Sequence, residues 1–184
     1  MRVFFRVERL PLIVGRYDGE ILTALGFVVG AEAAAVMQYI VDNTLSPAAG
    51  SLKGEFCIVD STSPSRPLAP LSLYRQLCMY AAGKLKNFDV KFRLHGTEFQ
   101  RSVWNKLLEI PYAQTRAYSG VAAELGNAKA CRAVAQAAHN NPIAIIVPCH
   151  RLIGKDGSLV GYAKGVAIKR ALLDIENSGA MKPY

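Results

Sequence analysis

Two apolar runs within residues 11–29 flank Asp18-Gly19, a dipeptide suited to a tight turn with positive φ, so this stretch predicts a β-hairpin. Ala31 to Asp42 is alanine-rich, with Val36 and Ile40 set against a polar edge, and predicts a helix. Ser46 to Gly54 reads as loop, and Phe56 to Asp60 as a short strand. Ser61 to Pro70 holds three prolines and four Ser/Thr residues, the composition of a surface loop. Leu71 to Lys86 then follows as an amphipathic helix.

The pattern changes near residues 87–97. Thr97-Glu98-Phe99-Gln100 has the form of a capping box, with Thr97 as N-cap and Gln100 reaching back. Phe99, Val103, Leu107 and Ile110 form one apolar helical face with Trp104 beside it, and Pro111 stops the helix. A domain boundary is expected at about residue 93, dividing the chain into 1–93 and 94–184. Tyr118 to Leu125 reads as a short helix with Ser119 as N-cap, Gly126-Asn127 as a turn, and Ala128 to His139 as a second helix. The pair resembles a helix-turn-helix. Its second helix holds six alanines plus Lys129 and Arg132, too little side chain to read base edges in a major groove. Such a helix suits close, sequence-tolerant approach through phosphates and shape. Ala144 to Val147 is an apolar run of buried-strand character.

Charge sharpens this picture. The chain of 184 residues has a net charge of +8, and 51% of its residues are hydrophobic, which excludes a disordered chain. Eight basic residues and two acidic ones fall within residues 115–170, and no acidic residue lies between Leu125 and Lys155. Solvated helices usually interleave both signs, so the acid-free segment points to a nucleic-acid partner. The most apolar long stretch, Thr23 to Val41, is interrupted by Glu32 and Gln38, which argues against a membrane span. No signal-peptide pattern opens the chain, so a soluble protein of the cytoplasm (or nucleus) is expected.

The four cysteines, at 57, 78, 131 and 149, form no CxxC pair, and no zinc is expected. Only Pro148-Cys149-His150-Arg151 brings Cys and His together. Nucleophilic cysteine chemistry needs the thiolate, a minor species at neutral pH. His150 can take the proton through a water, and Arg151 adds positive charge nearby. A third group usually orients the base, and Glu176 and Asp174 both qualify.

Ile146-Val147-Pro148-Cys149-His150-Arg151 resembles the active-site signature of the O6-alkylguanine-DNA alkyltransferases, the methylated-DNA–protein-cysteine methyltransferases. The resemblance continues through Gly96 to Gln100, Val103-Trp104, Tyr118, Lys129 to Val134, Asn140 to Pro142 and Gly161-Tyr162. It covers residues 94–176, while 1–93 match only loosely. It implies an α+β protein: a small antiparallel sheet with helices, ribonuclease H-like, followed by a mostly helical domain with the helix-turn-helix. It implies a monomer that repairs duplex DNA from the minor groove, without a cofactor. The alkyl group passes once from O6 of guanine, and more weakly from O4 of thymine, to the protein's own cysteine.

By that resemblance Cys149 is the acceptor, His150 the water-mediated base and Glu176 its orienting carboxylate. Asn141 bridges the helix-turn-helix to the active-site segment. Tyr118 crowds the 3′ phosphate and protonates guanine N3. Arg132 fills the stack left by the flipped base, while Ala130, Ala133, Ala135 and Lys155 contact DNA. Tyr162, Ala163, Leu152 and Val147 surround the alkylguanine. Many relatives carry serine where this chain has Ala163, so a hydroxyl donor is lost there. The alternatives are a lesion-binding relative without catalysis, which would lack Cys149, a helix-turn-helix regulator and a cysteine hydrolase. Neither of the last two accounts for both the cysteine segment and the basic, acid-free surroundings.

Overall fold

The computed structural model describes residues 2–31, 34, 56–59 and 68–180. Apart from Ala31 and Ala34, the helix expected over residues 31–42 lies outside them, as do the Ser46–Gly54 loop and most of the Ser61–Pro70 loop.

The hairpin forms as expected. Strands β2 (Ile13–Asp18) and β3 (Ile21–Phe27) pair antiparallel, and Gly19 supplies the positive φ of 58°. The register shifts between Arg16 and Tyr17, a bulge that adds twist. Strand β1 (Arg2–Phe5), absent from the sequence reading, lies inside the sheet, with buried Val3, Phe4 and Phe5. Its flanking arginines mask a three-residue apolar run. The order is β3-β2-β1-β4, so three antiparallel strands are extended by β4 (Phe56–Val59), which runs parallel to β1.

Helix α1 (Leu68–Ala81) begins earlier and ends earlier than the amphipathic pattern suggests. Pro70 fits its first turn, where backbone N–H groups have no intrahelical partner. Gly83 (φ 72°) ends it and also meets α5 (Val166–Ala180): a Cβ on Gly83 would lie 2.9 Å from the Gly179 Cα. Leu73, Leu77 and Tyr80 of α1 are fully buried and share one core with Val3, Phe5, Trp104, Val121 and Ile143.

Helix α2 (Glu98–Leu108) has both halves of its capping box: Gln100 N–H donates to Thr97 Oγ1, and Thr97 N–H donates to Gln100 Oε1. Val103, Trp104, Leu107 and Ile110 are buried, but Phe99 is 39% exposed, so the buried face starts one turn later than the spacing suggested. Trp104 donates to the Ala137 carbonyl at 2.8 Å, fastening α2 to α4 (Cys131–His139).

Between them lie β5 (Arg116–Ala117) and α3 (Tyr118–Glu124). Ser119 does not cap α3; Ala117 occupies the cap position with no side-chain bond. The turn to α4 uses Gly126 (φ 80°), then Asn127, whose side chain accepts from Lys129 N–H and starts a 3-10 turn over Ala128–Ala130. The second helix is thus split, with the α-helical part beginning at Cys131. Its buried face is Val134, Ala137 and Ala138, while Lys129, Arg132, Ala133 and Gln136 are exposed.

Candidate active site

Ala144–Val147 is a buried turn rather than a strand. Ile146 N–H donates to the Ala144 carbonyl and Val147 N–H to that of Ile143, with Ile145 at φ 72°. A buried β-branched residue at positive φ is a strained conformation, held here by its surroundings. One surrounding tie is strand β3: Leu25 N–H donates to the Pro142 carbonyl, and Ala144 N–H donates to that of Leu25. The N-terminal sheet edge therefore carries the segment that leads to the cysteine.

Cys149 begins a 3-10 turn over Cys149–Arg151, which passes directly into β6 (Leu152–Ile153). Strand β6 pairs parallel with β5, Arg116 opposite Leu152 and Ala117 opposite Ile153. That short ladder fixes Tyr118, the next residue, close to the cysteine. Asn141 ties the end of α4 to the same place: its Nδ2 donates to the Val147 carbonyl (2.8 Å) and to Cys149 Sγ (3.1 Å), while its Oδ1 accepts from Ile143 N–H.

Behind the thiol lies a fully buried ionic group. His150 Nε2 and Glu176 Oε1 are 2.8 Å apart. Glu176 also accepts from Arg151 Nη2 (2.9 Å to Oε1) and Nε (3.0 Å to Oε2), from Ala113 N–H and from the Tyr80 hydroxyl. Arg151 Nη1 donates to the Ile110 carbonyl, and its guanidinium lies 5.8 Å from the Tyr112 ring centroid. Burial alone would raise the Glu176 pKa, but hydrogen bonds from His150 and Arg151 outweigh it and hold the carboxyl at about 2. Asp174, the alternative orienting group, is exposed.

Burial pushes the Cys149 thiol up, against the Asn141 hydrogen bond and the positive charge of Lys169. Burial also pulls His150 down, against Glu176, so the imidazole rests neutral at pH 7. With Nε2 donating to Glu176, Nδ1 keeps its lone pair, and that atom has no protein hydrogen bond.

A partly open cavity of about 100 Å³ reaches Cys149. Tyr162 and Ala163 line it, together with Asn141 and with Leu25, Gly26 and His139, which the sequence did not single out. Val147 and Leu152 are fully buried and lie outside this lining. The Tyr118 hydroxyl sits between the Val160 and Gly161 carbonyls (3.2 and 3.1 Å), its pKa raised to about 12 by burial. Lys169 is fully buried, donates to the Val160 carbonyl at 2.7 Å and lies 5.6 Å from the Tyr118 ring centroid. Burial lowers its pKa to about 8. Arg132 and Lys155 are exposed, Ala133 is exposed, and Ala130 and Ala135 are half-buried. Among the described residues, no three His, Cys, Asp or Glu side chains converge to hold a metal ion.

Tyr80, Arg151 and Lys169 are the site residues that sequence reasoning missed. Spacing held a signal for one of them: Lys169, Leu172 and Glu176 share the buried stripe of α5, and charges on a buried stripe need partners. Its sequence position next to His150 marks Arg151 only as nearby charge.

Residues 98–178 match the model of the 6-O-methylguanine DNA methyltransferase DNA-binding domain. A methylated-DNA–protein-cysteine methyltransferase of Methanosarcina acetivorans is 61% identical over 104 residues, which is 56% of this chain and 67% of that one. The protein of the same description from Mycolicibacterium paratuberculosis is 47% identical over 126 residues, 65% of this chain and 76% of that one. Among solved structures, Mycobacterium tuberculosis OGT in complex with DNA has a TM-score of 0.74 at 36% identity, covering 97% of this chain and 94% of that one. No described helix is long and apolar enough to cross a membrane.

Proposed function

The chain belongs to the methylated-DNA–protein-cysteine methyltransferase family, whose members repair DNA by alkyl transfer to a cysteine, and on that premise we propose that Cys149 is the acceptor. The observation that carries this reading is the cavity lined by Cys149, with a neutral His150 held by the Glu176 carboxylate behind it.

The thiol and imidazole both rest neutral, so the proton moves only as the reaction proceeds. The thiol proton passes through a water to His150 Nδ1. The sulfur forms its bond to the alkyl carbon as the bond from that carbon to guanine O6 breaks. Guanine leaves neutral by gaining a proton at N3 from Tyr118; the phenolate then regains a proton from solvent as the His150 imidazolium releases one, so the proton lost by the thiol balances the one gained by the base. His150 becomes an imidazolium against the Glu176 carboxylate, an ion pair already stabilised by Arg151. The product is a thioether, which has no route back to a thiol here, so each molecule acts once.

Reaction at O6 requires the nucleotide to leave the duplex, at a cost of a few kcal/mol. Arg132 projects from the exposed side of α4 and fills the stack. Ala133 at that surface, with Ala130 and Ala135 beside it, lets the helix enter the minor groove. Lys155, exposed on the turn after β6, contributes a phosphate contact. The Leu152 and Cys149 carbonyls accept from the guanine exocyclic amine, and the Ala163 N–H donates to O6. The protein works as a monomer on double-stranded DNA containing O6-alkylguanine, with O4-alkylthymine a poorer substrate, in the compartment where the cell keeps its DNA. Residues 1–93 serve as a supporting domain and 94–184 as the DNA-binding and transfer domain.

Incubation with an oligonucleotide containing O6-methylguanine, followed by peptide mass analysis, tests this. One methyl group on Cys149 per molecule, without turnover, is expected. An unmodified Cys149 beside tight lesion binding would instead favour the non-catalytic lesion binder.

A further inference from the structure

We infer that Tyr80, on helix α1 of the N-terminal half, is a positioning residue for alkyl transfer, acting on the His150–Glu176 pair through its hydroxyl. The inference rests on the function proposed for Cys149.

Tyr80 is fully buried, and its hydroxyl donates to Glu176 Oε1 at 2.9 Å. That oxygen is the one facing His150 Nε2, and the Tyr80 oxygen lies 3.5 Å from the same nitrogen. The donor and the imidazole therefore compete for one carboxylate oxygen. A carboxylate that already accepts from tyrosine, arginine and backbone holds the imidazole N–H less strongly than a lone carboxylate would. The effect limits how basic His150 becomes, so that the ring stays neutral in the resting protein and can accept the thiol proton.

The ring of Tyr80 is held by two aromatic neighbours. Phe88 packs at 5.5 Å between centroids and Tyr112 meets it edge-on at 6.3 Å. The charged and titratable groups around the pair are Glu176 and Lys169 from α5, Arg151 from the cysteine turn, and Tyr112 beside Tyr80. None of the other three donors to Glu176 could replace the tyrosine. Arg151 is already committed to the carboxylate and to the Ile110 carbonyl, Ala113 donates from the backbone to the other oxygen, and His150 is the group being tuned. Through the Tyr80 hydroxyl the N-terminal half thus reaches the His150–Glu176 pair, a role distinct from holding the fold together.

Single-turnover methyl transfer, measured against pH with saturating O6-methylguanine duplex, tests the inference. Tyr80→Phe keeps the ring and removes the hydroxyl. The rate should fall roughly tenfold, the order expected when a hydrogen bond to a charged group is lost. The acid limb, where His150 takes up a proton, should move to higher pH, because the carboxylate then holds the imidazolium more strongly. Affinity for the lesion duplex should stay unchanged. Phe88→Leu is the matched packing control: it loosens the same ring and should leave the acid limb in place. An unchanged rate and pH limb in Tyr80→Phe overturns the inference, as does an equal change in both variants. Should Tyr80→Phe not fold, difluorotyrosine at position 80 keeps the shape and strengthens the donor. The limb must then move to lower pH, and a fixed limb refutes the role. Failure of the wild type to methylate Cys149 would instead count against the proposed function.

Discussion

Glu176 gathers hydrogen bonds from Tyr80, Ala113, His150 and Arg151 in a space without solvent, and this concentration has a consequence for acid stability. Its folded pKa of about 2 lies below the ordinary 4.5, so on acidification the unfolded chain takes up the proton first. The stabilisation is complete above pH 4.5 and is lost as pH falls toward 2. His150 acts in the same direction at higher pH, because burial holds it below its ordinary 6.5 and the unfolded imidazole protonates first. Stability measured by urea unfolding should therefore fall in two stages, the first beginning below pH 6.5. Glu176→Gln leaves the Arg151 guanidinium buried without its anion, at a cost of about 3–5 kcal/mol. That variant should also lose the lower stage. If its pH dependence matched the wild type, the acid sensitivity would belong to other groups. At this scale Cys149 and His150 were legible because they are adjacent in the chain and chemically distinctive. Glu176 could not be separated from Asp174 by spacing alone, since which of them faces inward depends on packing. Tyr80 carried no local sign at all, being one more buried position after Leu73 and Leu77 on α1.

The edge of β3 does two jobs that no single segment reveals. Its Leu25 backbone bonds the Pro142–Ala144 turn on both sides, and Gly26 beside it lines the cavity at Cys149. A Cβ on Gly26 would meet nothing within 4 Å, so the space beyond it is open. On the proposed function, that open space would admit larger alkyl groups on O6. Gly26→Leu should leave methyl transfer within about twofold of wild type, since a small alkyl group does not reach the added side chain. It should slow transfer from O6-benzylguanine by about tenfold or more, as one or two misplaced methylenes are worth about 1–3 kcal/mol. Competition between the two substrates reads this directly, and equal losses on both would rule out a size filter. The hairpin itself was legible from Asp18-Gly19. Its use as a pocket wall was not, because pairing between β3 and residues 142–144 is long-range. The Ala144–Val147 run shows the opposite failure. Four apolar residues in a row fit a strand or a turn equally well, and the positive φ at Ile145 comes from tertiary ties.

Across the whole molecule, the net charge of +8 resolves into a directional surface. Of the eight basic residues within 115–170, Arg151 and Lys169 are buried in the site and Arg116 is paired with Glu124. Lys129, Arg132, Lys155, Lys164 and Arg170 remain exposed, the first two at and just before the start of α4, Lys155 on the turn after β6 and Lys164 on the rim of the cavity. The sequence showed where the basic residues cluster but not which of them face solvent, because that depends on partners as distant as Glu176. Three phosphates neutralised by Lys129, Lys155 and Lys164 would make log affinity fall with log salt at a slope of about −2.7, from −0.9 for each phosphate on duplex DNA. Titrations of an undamaged duplex between low and moderate salt measure this slope. Removing Lys129 or Lys164 should each make it shallower by about 0.9, again one phosphate per residue. Lys86→Ala, outside the acid-free segment, should leave it unchanged. Arg132 divides the two contributions to recognition: it should alter the slope only if it meets a phosphate, whereas a residue that fills the stack slows transfer from duplex while sparing the reaction with free O6-benzylguanine. A variant Arg132→Ala that lost both reactions equally would remove the stacking role and leave that residue as one more surface cation.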